Sequence, residues 1–480
     1  VQPRDMFART LAFVSAKKGD AKTIGKFGIG LKTLAQLGSE LRVHSEPYNF
    51  RVNEARLSAL PQQRRIAGFY DPSSRETLLA LPLDDAPETP AIAEWLEGVG
   101  PQALLFLRSV QTVEYTGEDG RSLFMRLKVS TPEVVTIRLG RRRVSCEKQV
   151  VRAQGSRQRW TRYVCQLDVP GHLIGNRRGK ATGMTTPVGI AISETRSDAG
   201  RVFAGMPTTM KLHGPISVNA AFDTDTAREH LVQRGHWNLW LLEQTQLITV
   251  GVALDRFATD PTTAWRSIPL AHEVENLKLT DEWLYAKVRS LLDTHLAALA
   301  SVRVPTLNGA TARLDAVAYE SSSLCGLMHD ADLARLAPGK APLLAALRDS
   351  EGRWRGVLGD LQVGREIELS ESFALFELPD EQFGVRSPEW FVRMARASID
   401  EGQWWNFSSR RAFLLADGTT RSCSADGDSS KILVESDEFL GAGLAHQFEL
   451  TARIHPRYLQ GDEVASLVEE RLRENELLVD

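Results

Sequence analysis

Three glycines stand within six residues near the start of the sequence, in the stretch Thr23-Ile24-Gly25-Lys26-Phe27-Gly28-Ile29-Gly30-Leu31-Lys32. Glycine accepts positive φ angles and lets bare backbone come close to a ligand. The apolar residues that follow have the spacing of a core-facing helix: Leu31, Leu34, Ala35 and Leu37. A helix that begins at Gly30 presents unpaired N–H groups and the positive end of its dipole to the loop. The stretch therefore predicts an anion site, with phosphate as the best-fitting ligand.

Two common phosphate loops do not fit this stretch. The Walker pattern requires Gly-x-x-x-x-Gly-Lys-Ser/Thr, and the nearest string, Pro338-Gly339-Lys340-Ala341, lacks the upstream glycine and the hydroxyl. A Rossmann turn follows a buried strand, whereas residues 15–20 are largely polar and indicate a linker or lid. The loop is therefore predicted to be a lid anchored on a rigid helix.

The string from Ile24 to Lys32 resembles the lid motif of the GHKL superfamily of Bergerat-fold ATPases, which includes gyrase, heat-shock chaperones, histidine kinases and MutL. It is most similar to the ninety-kilodalton chaperone branch and to sacsin-like proteins. In that family the loop closes over the triphosphate, and its N–H groups hold the γ-phosphate. The resemblance implies a nucleotide-binding segment made of Gly25, Lys26, Phe27, Gly28, Ile29, Gly30 and Lys32.

The elements after the loop follow the order of the second half of the chaperone ATP-binding domain. Residues 41–45 and 48–52 alternate apolar and polar side chains, which predicts two half-buried antiparallel strands. A strand is also predicted over 76–83, a helix over 91–108 and a further strand over 110–115. The resemblance implies that Thr77 helps to bind adenine, and the alternative is that Thr77 is an ordinary strand residue.

A second resemblance, to the middle domain of sacsin-like and chaperone ATPases, covers residues 202–208 and 215–241. In the family a strand ends in a turn, an Arg-Glu pair opens the next helix, and the arginine reaches the γ-phosphate. Arg228 matches that position, which implies a catalytic role. A guanidinium suits the role because it offers forked donors and a permanent charge to phosphate oxygens. The alternatives are an arginine paired with Asp223 or Asp225, and a simple N-cap at Thr224 or Asp225.

The family's general base, its magnesium-binding Asn and its Asp-x-Gly motif for adenine all precede the lid. None of them stands before the glycine loop here. We therefore expect the sequence to be a fragment, with ATP as the ligand and the Mg²⁺ ligand upstream of Val1. No metal ligands are predicted within the sequence. If the sequence is complete, it lacks the groups with which the family hydrolyses ATP.

Composition favours a protein with about three globular domains, since 42% of the 480 residues are hydrophobic and 25% are charged. The net charge of −3 does not favour nucleic acid or an anionic membrane as a partner. No apolar run approaches the roughly 20 residues that span a bilayer. The cysteines are scattered without metal-ligand spacing and indicate reduced thiols in a cytoplasmic protein: Cys146, Cys165, Cys325 and Cys423.

The predicted fold class is α+β, with a partial Bergerat-type ATP-binding α/β sandwich at 1–130. A chaperone-like α/β middle domain follows at 131–260, and a mixed α/β region of unknown role at 261–480. Trp237 and its neighbours are predicted to be core residues of a helix. Further helices are predicted at 281–299, 387–399 and 462–478, and a hairpin at 411–420.

The first functional hypothesis is an ATP-binding and hydrolysing conformational machine of the chaperone/sacsin type, in which lid closure brings Arg228 onto the γ-phosphate. The second is a nucleotide-sensing scaffold without turnover, as in a bacterial anti-phage defence system. The third is a DNA-acting clamp of the MutL or Morc type, suggested by basic residues at 141–143 and 177–180. Client proteins are not identified by the sequence, and a homo-oligomer stays open.

Overall fold

The structure is a computed structural model that describes most of the chain between residues 40 and 422. The gaps within that span are 54–55, 75, 83–88, 108–109, 118–119, 121, 140, 175–183, 196–199, 213, 226, 290–298, 300–301, 308 and 350–351. Later described residues are 432–433, 452–455, 457, 464–468 and 470. The chain divides into two compact units: Val1–Arg256 with Arg266–His295, and Phe257–Trp265 with Leu296–Asp480.

The first unit contains a four-stranded antiparallel sheet in the order β3-β2-β1-β4. Its strands are β1 (Leu41–Ser45), β2 (Tyr48–Asn53), β3 (Arg56–Ala59) and β4 (Leu78–Ala80). Register pairs Leu41 with Val52 and Val43 with Phe50, and all four side chains are buried. The strands predicted at 41–45 and 48–52 are confirmed. Of the described residues in the strand predicted over 76–83, only β4 is extended in the sheet.

Helix α1 (Thr89–Val99) and a 3₁₀ turn (Pro101–Leu104) follow this sheet. The helix predicted over 91–108 is therefore shorter than expected. It ends where Gly100 adopts a φ of 62° and Pro101 follows, a combination that stops a helix because proline cannot donate its backbone N–H.

The first unit also contains a nine-stranded sheet, in the order β12-β11-β13-β10-β9-β8-β6-β5, with β7 paired to β8. Only β11 and β13 pair in parallel. The sheet continues across residue 130, and the three-domain division stays a prediction. The strands are β5 (Thr112–Thr116), β6 (Ser122–Val129), β7 (Glu133–Leu139), β8 (Arg142–Ala153), β9 (Arg159–Asp168), β10 (Thr185–Ser193), β11 (Arg201–Ala204), β12 (Met206–Lys211) and β13 (Ile216–Ala220).

Cys146 on β8 and Cys165 on β9 are direct register partners and form a disulfide, with their Cα atoms 4.3 Å apart. The expectation of reduced thiols is therefore wrong for this pair. The two cysteines are separated by 19 positions in sequence, and only the pairing of β8 with β9 brings them together. Cys325 is a free, exposed thiol, and Cys423 lies outside the described residues.

Long helix α2 (His236–Thr259) follows the sheet, and α3 (Pro261–Ala264), α4 (Ala271–Thr280) and a helical stretch at 282–289 come next. Residues from Phe257 through α3 belong to the second unit. Trp237, Leu241 and Leu242 are buried on α2, which confirms the prediction that this helix contributes core residues.

Gly251 lets α2 approach the end of β7 closely. A Cβ at this position would lie 2.7 Å from the carbonyl oxygen of Arg138 and 3.0 Å from the Leu139 side chain. We expect Gly251→Ala to lower the free energy of unfolding by about 1–3 kcal/mol, because the backbone must shift to admit the methyl group. Urea unfolding of the variant measures the change.

The matched control for that variant is Gly98→Ala on α1, where a Cβ would meet no atom within 4 Å. This control should be neutral or more stable by up to about 1 kcal/mol, because alanine has the higher helix propensity. Equal stability of the wild-type and Gly251→Ala proteins would show that the close approach does not constrain the packing.

The second unit has a parallel three-stranded sheet in the order β17-β16-β18 and three strand pairs. Its core includes the buried residues Trp390, Phe391, Met394 and Phe407. The elements are β14 (Arg303–Pro305), β15 (Thr311–Arg313), β16 (Val317–Glu320), α5 (Asp330–Leu336), β17 (Ala341–Pro342), α6 (Arg353–Leu361), β18 (Arg365–Ile367), α7 (Leu369–Ser372), α8 (Asp380–Phe383), α9 (Pro388–Asp400), α10 (Trp404–Ser408), β19 (Phe413–Leu414), β20 (Thr420–Arg421), β21 (Ile432–Leu433) and β22 (Ala452–Arg453).

Two sequence predictions in this unit are confirmed. Helix α9 matches the helix predicted at 387–399, and β19 pairs antiparallel with β20 as the predicted hairpin. The helix predicted at 281–299 is described at 281–289 and 299, and all of these residues except Asp281, which is extended, are helical. The helix predicted at 462–478 is described at 464–468 and 470, and these residues are helical. The whole fold has both helices and sheets, so the predicted α+β class is confirmed. None of the described helices combines the length and hydrophobicity that crossing a bilayer requires.

Candidate functional site

The glycine loop predicted to bind nucleotide lies outside the described residues. This applies to every candidate in it: Gly25, Lys26, Phe27, Gly28, Ile29, Gly30 and Lys32. Glu40, directly before β1, is the first residue that the structure describes. The nucleotide-binding role of the glycine loop therefore stays a prediction.

Thr77 is an exposed residue that directly precedes β4. Its hydroxyl donates a 2.9 Å hydrogen bond to the hydroxyl of Ser45, the last residue of β1. The contact joins the start of one strand to the end of its neighbour. The adenine contact that the resemblance implies for Thr77 stays a prediction.

Arg228 lies in a loop, 223–232, and not at the start of a helix. Thr224 and Leu231 form an antiparallel bridge across this loop, and α2 begins later, at His236. The expectation that an Arg-Glu pair opens the helix is therefore wrong, and neither Thr224 nor Asp225 caps a helix here. Instead the Asp225 carboxylate accepts a 2.9 Å hydrogen bond from the N–H of Glu229, which tightens the turn around Arg228.

The backbone of Arg228 is left-handed, with a φ of 66°. This conformation is uncommon for a residue with a side chain and costs about 1–2 kcal/mol for an L-amino acid. Surrounding contacts must therefore hold the loop in place. Backbone outliers of this kind cluster at functional sites, which makes the position a candidate on geometry alone.

The guanidinium of Arg228 is half-buried, and burial lowers its pKa from the ordinary arginine value. Among the described residues, none forms an ion pair or hydrogen bond with this side chain. The alternative pairing with Asp225 is absent there, since the Asp225 carboxylate lies 3.5 Å from Nδ1 of His230 instead. Charged groups removed from water are normally paired, so a half-buried cation in this state is suited to an anionic ligand.

Strand β12 supports the tip of the loop. The backbone N–H and the hydroxyl of Thr209 both donate to the carbonyl oxygen of Glu229, at 3.1 and 2.9 Å. The N–H of Leu231 donates to the sulfur of Met210 at 3.4 Å. Glu229 and Leu231, which both follow Arg228, are thereby fixed to one strand of the nine-stranded sheet.

Asn238, in the first turn of α2, closes the neck of the loop. Its side-chain oxygen accepts from the N–H of Asp223 at 2.8 Å. Its amide nitrogen donates to the carbonyl oxygens of Asp223 and Val232, at 2.7 and 2.9 Å. The side chain is only 2% exposed, so these hydrogen bonds form away from water, where losing one costs most.

Neighbouring Trp237 donates from its ring N–H to the carbonyl oxygen of Ala221 at 3.0 Å. The start of α2 thus holds the chain both before and within the loop. Sequence reasoning placed Trp237 in the core and gave Asn238 and Thr209 no role. A polar residue between the apolar Trp237 and Leu239 was the only available signal for Asn238.

The described residues contain no group of three or more His, Cys, Asp or Glu side chains that could hold a metal ion. Buried ion pairs also lie in the second unit, between Glu320 and Arg348 at 2.9 Å and between Asp332 and Arg386 at 2.6 Å. Each of these charges therefore already has a partner of opposite sign. No protein-family model matches the sequence, and no curated protein matches it.

Proposed function

We propose that this protein binds and hydrolyses ATP as a conformational machine of the heat-shock-chaperone and sacsin-like type. The lid at 25–30 closes over the triphosphate, and Arg228 reaches the γ-phosphate. The single observation that supports this most strongly is the half-buried Arg228 guanidinium, which has no partner among the described residues and stands on a left-handed backbone. The choice of a nucleotide as the ligand rests on the resemblance of residues 24–32 to a lid motif.

Arg228 contributes binding and charge stabilisation in this proposal. Its guanidinium donates hydrogen bonds to the phosphate oxygens, on which charge develops during transfer. Asn238 and Thr209 hold the loop, so the backbone that carries the guanidinium is already ordered before the ligand binds. Loss of the γ-phosphate removes its acceptors, and the loop and lid then separate, as in other switches gated by one phosphate.

Mg²⁺ accompanies the nucleotide in this proposal. When bound, it neutralises charge on the phosphate oxygens. A cytoplasmic location is also proposed, since ATP is abundant there, although the Cys146–Cys165 disulfide is of a kind that is rare in that compartment. A homo-oligomeric state stays a prediction.

Gly28→Ala tests the lid. We expect the variant to bind a fluorescent ATP analogue about 10- to 150-fold more weakly, because a Cβ would keep the backbone N–H away from the phosphate, and a lost hydrogen bond to a charged group costs about 1.5–3 kcal/mol. Gly19→Ala, a glycine in the polar segment before the loop, is the matched control and should bind normally. Equal affinity of the wild-type and Gly28→Ala proteins would rule out the lid role.

Phosphate release from the wild-type protein separates turnover from sensing. Tight nucleotide binding without release would favour the nucleotide-sensing scaffold over the ATPase. The anti-phage role and the identity of the client proteins can be tested after this measurement has separated the two hypotheses.

A further inference from the structure

Four exposed basic side chains share one face of the sheet at the place where the start of β9 lies beside β8 and β6. Lys128 pairs with Arg152 in the register, and Arg152 pairs with Arg159. Arg126 precedes Lys128 by two residues on β6 and therefore points the same way. All four residues are exposed. We call Arg126, Lys128, Arg152 and Arg159 the basic row.

At the level of the basic row, the opposite face of these strands is buried. Leu127, Val151 and Trp160 alternate with the basic row and are buried in one apolar cluster. Because strand side chains alternate strictly, this burial fixes the basic row on the other face. The register therefore holds the positive charges together, and they cannot turn inward.

Like charges directly opposite each other in a sheet destabilise it. Among the described residues, no carboxylate forms an ion pair with any member of the basic row. Glu194 is adjacent, since its N–H donates to the carbonyl oxygen of Arg159 at 2.8 Å. Its carboxylate, however, accepts from the Thr161 hydroxyl at 2.7 Å and pairs with Arg256 at 3.1 Å.

An aromatic side chain continues the row along β6. Phe124 stands two residues before Arg126 on the same face and is 49% exposed. Glu114 is its register partner on β5, while Arg126 faces Thr112. An uncovered ring beside unpaired cations is the combination that binds single-stranded nucleic acid, where bases stack on the ring and phosphates meet the cations.

We propose that the basic row and Phe124 form a binding site for single-stranded nucleic acid without sequence preference. The net charge of −3 predicts no general attraction to polyanions, so binding depends on this local surface. The row spans three adjacent strands, or about 10 Å, and the segment from Phe124 to Lys128 spans about 13 Å. This area accommodates a few nucleotides. The proposal does not depend on ATP binding.

Fluorescence anisotropy with labelled oligodeoxythymidine and oligouridine of about 20 nucleotides, longer than one typical site, tests the proposal. We expect log Kobs to fall against log salt with a slope of about −2.8, for four phosphate contacts on a single strand. The double variant R152A/R159A should reduce the slope by about 1.4. Phe124→Ala should weaken single-strand binding about 5- to 150-fold, the loss of one stacked base at about 1–3 kcal/mol.

R142A/R143A is the matched control, because it removes the same charge from the exposed tip of the β7–β8 hairpin. These residues lie ten and nine positions before Arg152 on one strand, or about 30–33 Å away. Retained binding in this control, with loss in R152A/R159A, supports the proposal. Equal loss in both variants, no binding at low salt, or a preference for duplex DNA or for polyglutamate would overturn it. Circular dichroism confirms that the variants are folded.

Discussion

Arg228→Ala should reduce ATP turnover by the full-length protein about 1000-fold, the lower end of the contribution made by an arginine finger. The expected loss is large because the guanidinium donates where charge develops in the transition state. Arg228→Lys should recover little of the activity, since an ammonium lacks the planar fork. Steady-state phosphate release measures both variants.

Arg234→Ala is the matched control for this prediction. Arg234 is an exposed arginine six positions after Arg228 and lies just outside the 223–232 loop. The control therefore removes the same charge from a nearby position. It should retain wild-type turnover. Turnover in Arg228→Ala equal to that in the control would remove the proposed role of Arg228.

Asn238→Asp should reduce kcat about 10- to 100-fold with little change in KM for ATP. The substitution keeps the acceptor for the Asp223 N–H but removes the donors to the carbonyl oxygens of Asp223 and Val232. The Asp223 carbonyl oxygen keeps its 2.9 Å hydrogen bond from the N–H of Val232, but the Val232 carbonyl loses its donor at a cost of about 1–3 kcal/mol. The new carboxylate also repels both carbonyl oxygens, so the neck of the loop opens and Arg228 loses its position. Asn238 thus acts as a positioning residue and not as a ligand contact.

Thr249→Ala is the matched control, because Thr249 is another buried polar residue of α2 and bonds only within the helix, to the carbonyl oxygen of Thr245 at 2.8 Å. Limited trypsin digestion adds a readout that helix stability alone does not give. Cleavage after Arg228 should accelerate in Asn238→Asp and not in the control. Unchanged cleavage and unchanged kcat in Asn238→Asp would contradict the positioning role.

Local patterning predicted much of the fold. Alternation identified β1 and β2, and helical spacing identified α9 and the buried face of α2, because each pattern follows from burial within one element. The disulfide was not predictable in this way. Cys146 and Cys165 meet only through the long-range register of β8 with β9, and no local pattern encodes that register.

The candidate site shows the same limit. The resemblance to the chaperone middle domain implied that Arg228 and Glu229 open a helix. The backbone of Arg228 instead turns left-handed, and contacts from Thr209 and Asn238 hold it there. Those contacts come from separate elements, so tertiary structure decided the conformation against that expectation.

The most direct test of the central claim compares two nucleotides on two proteins. Calorimetry should show that the wild-type protein binds a non-hydrolysable ATP analogue more tightly than ADP. Arg228→Ala should lose that preference by about 10- to 150-fold, for charge-assisted hydrogen bonds of about 1.5–3 kcal/mol, while its affinity for ADP stays unchanged. An Arg228→Ala protein that keeps the full preference for the triphosphate would contradict the contact between Arg228 and the γ-phosphate.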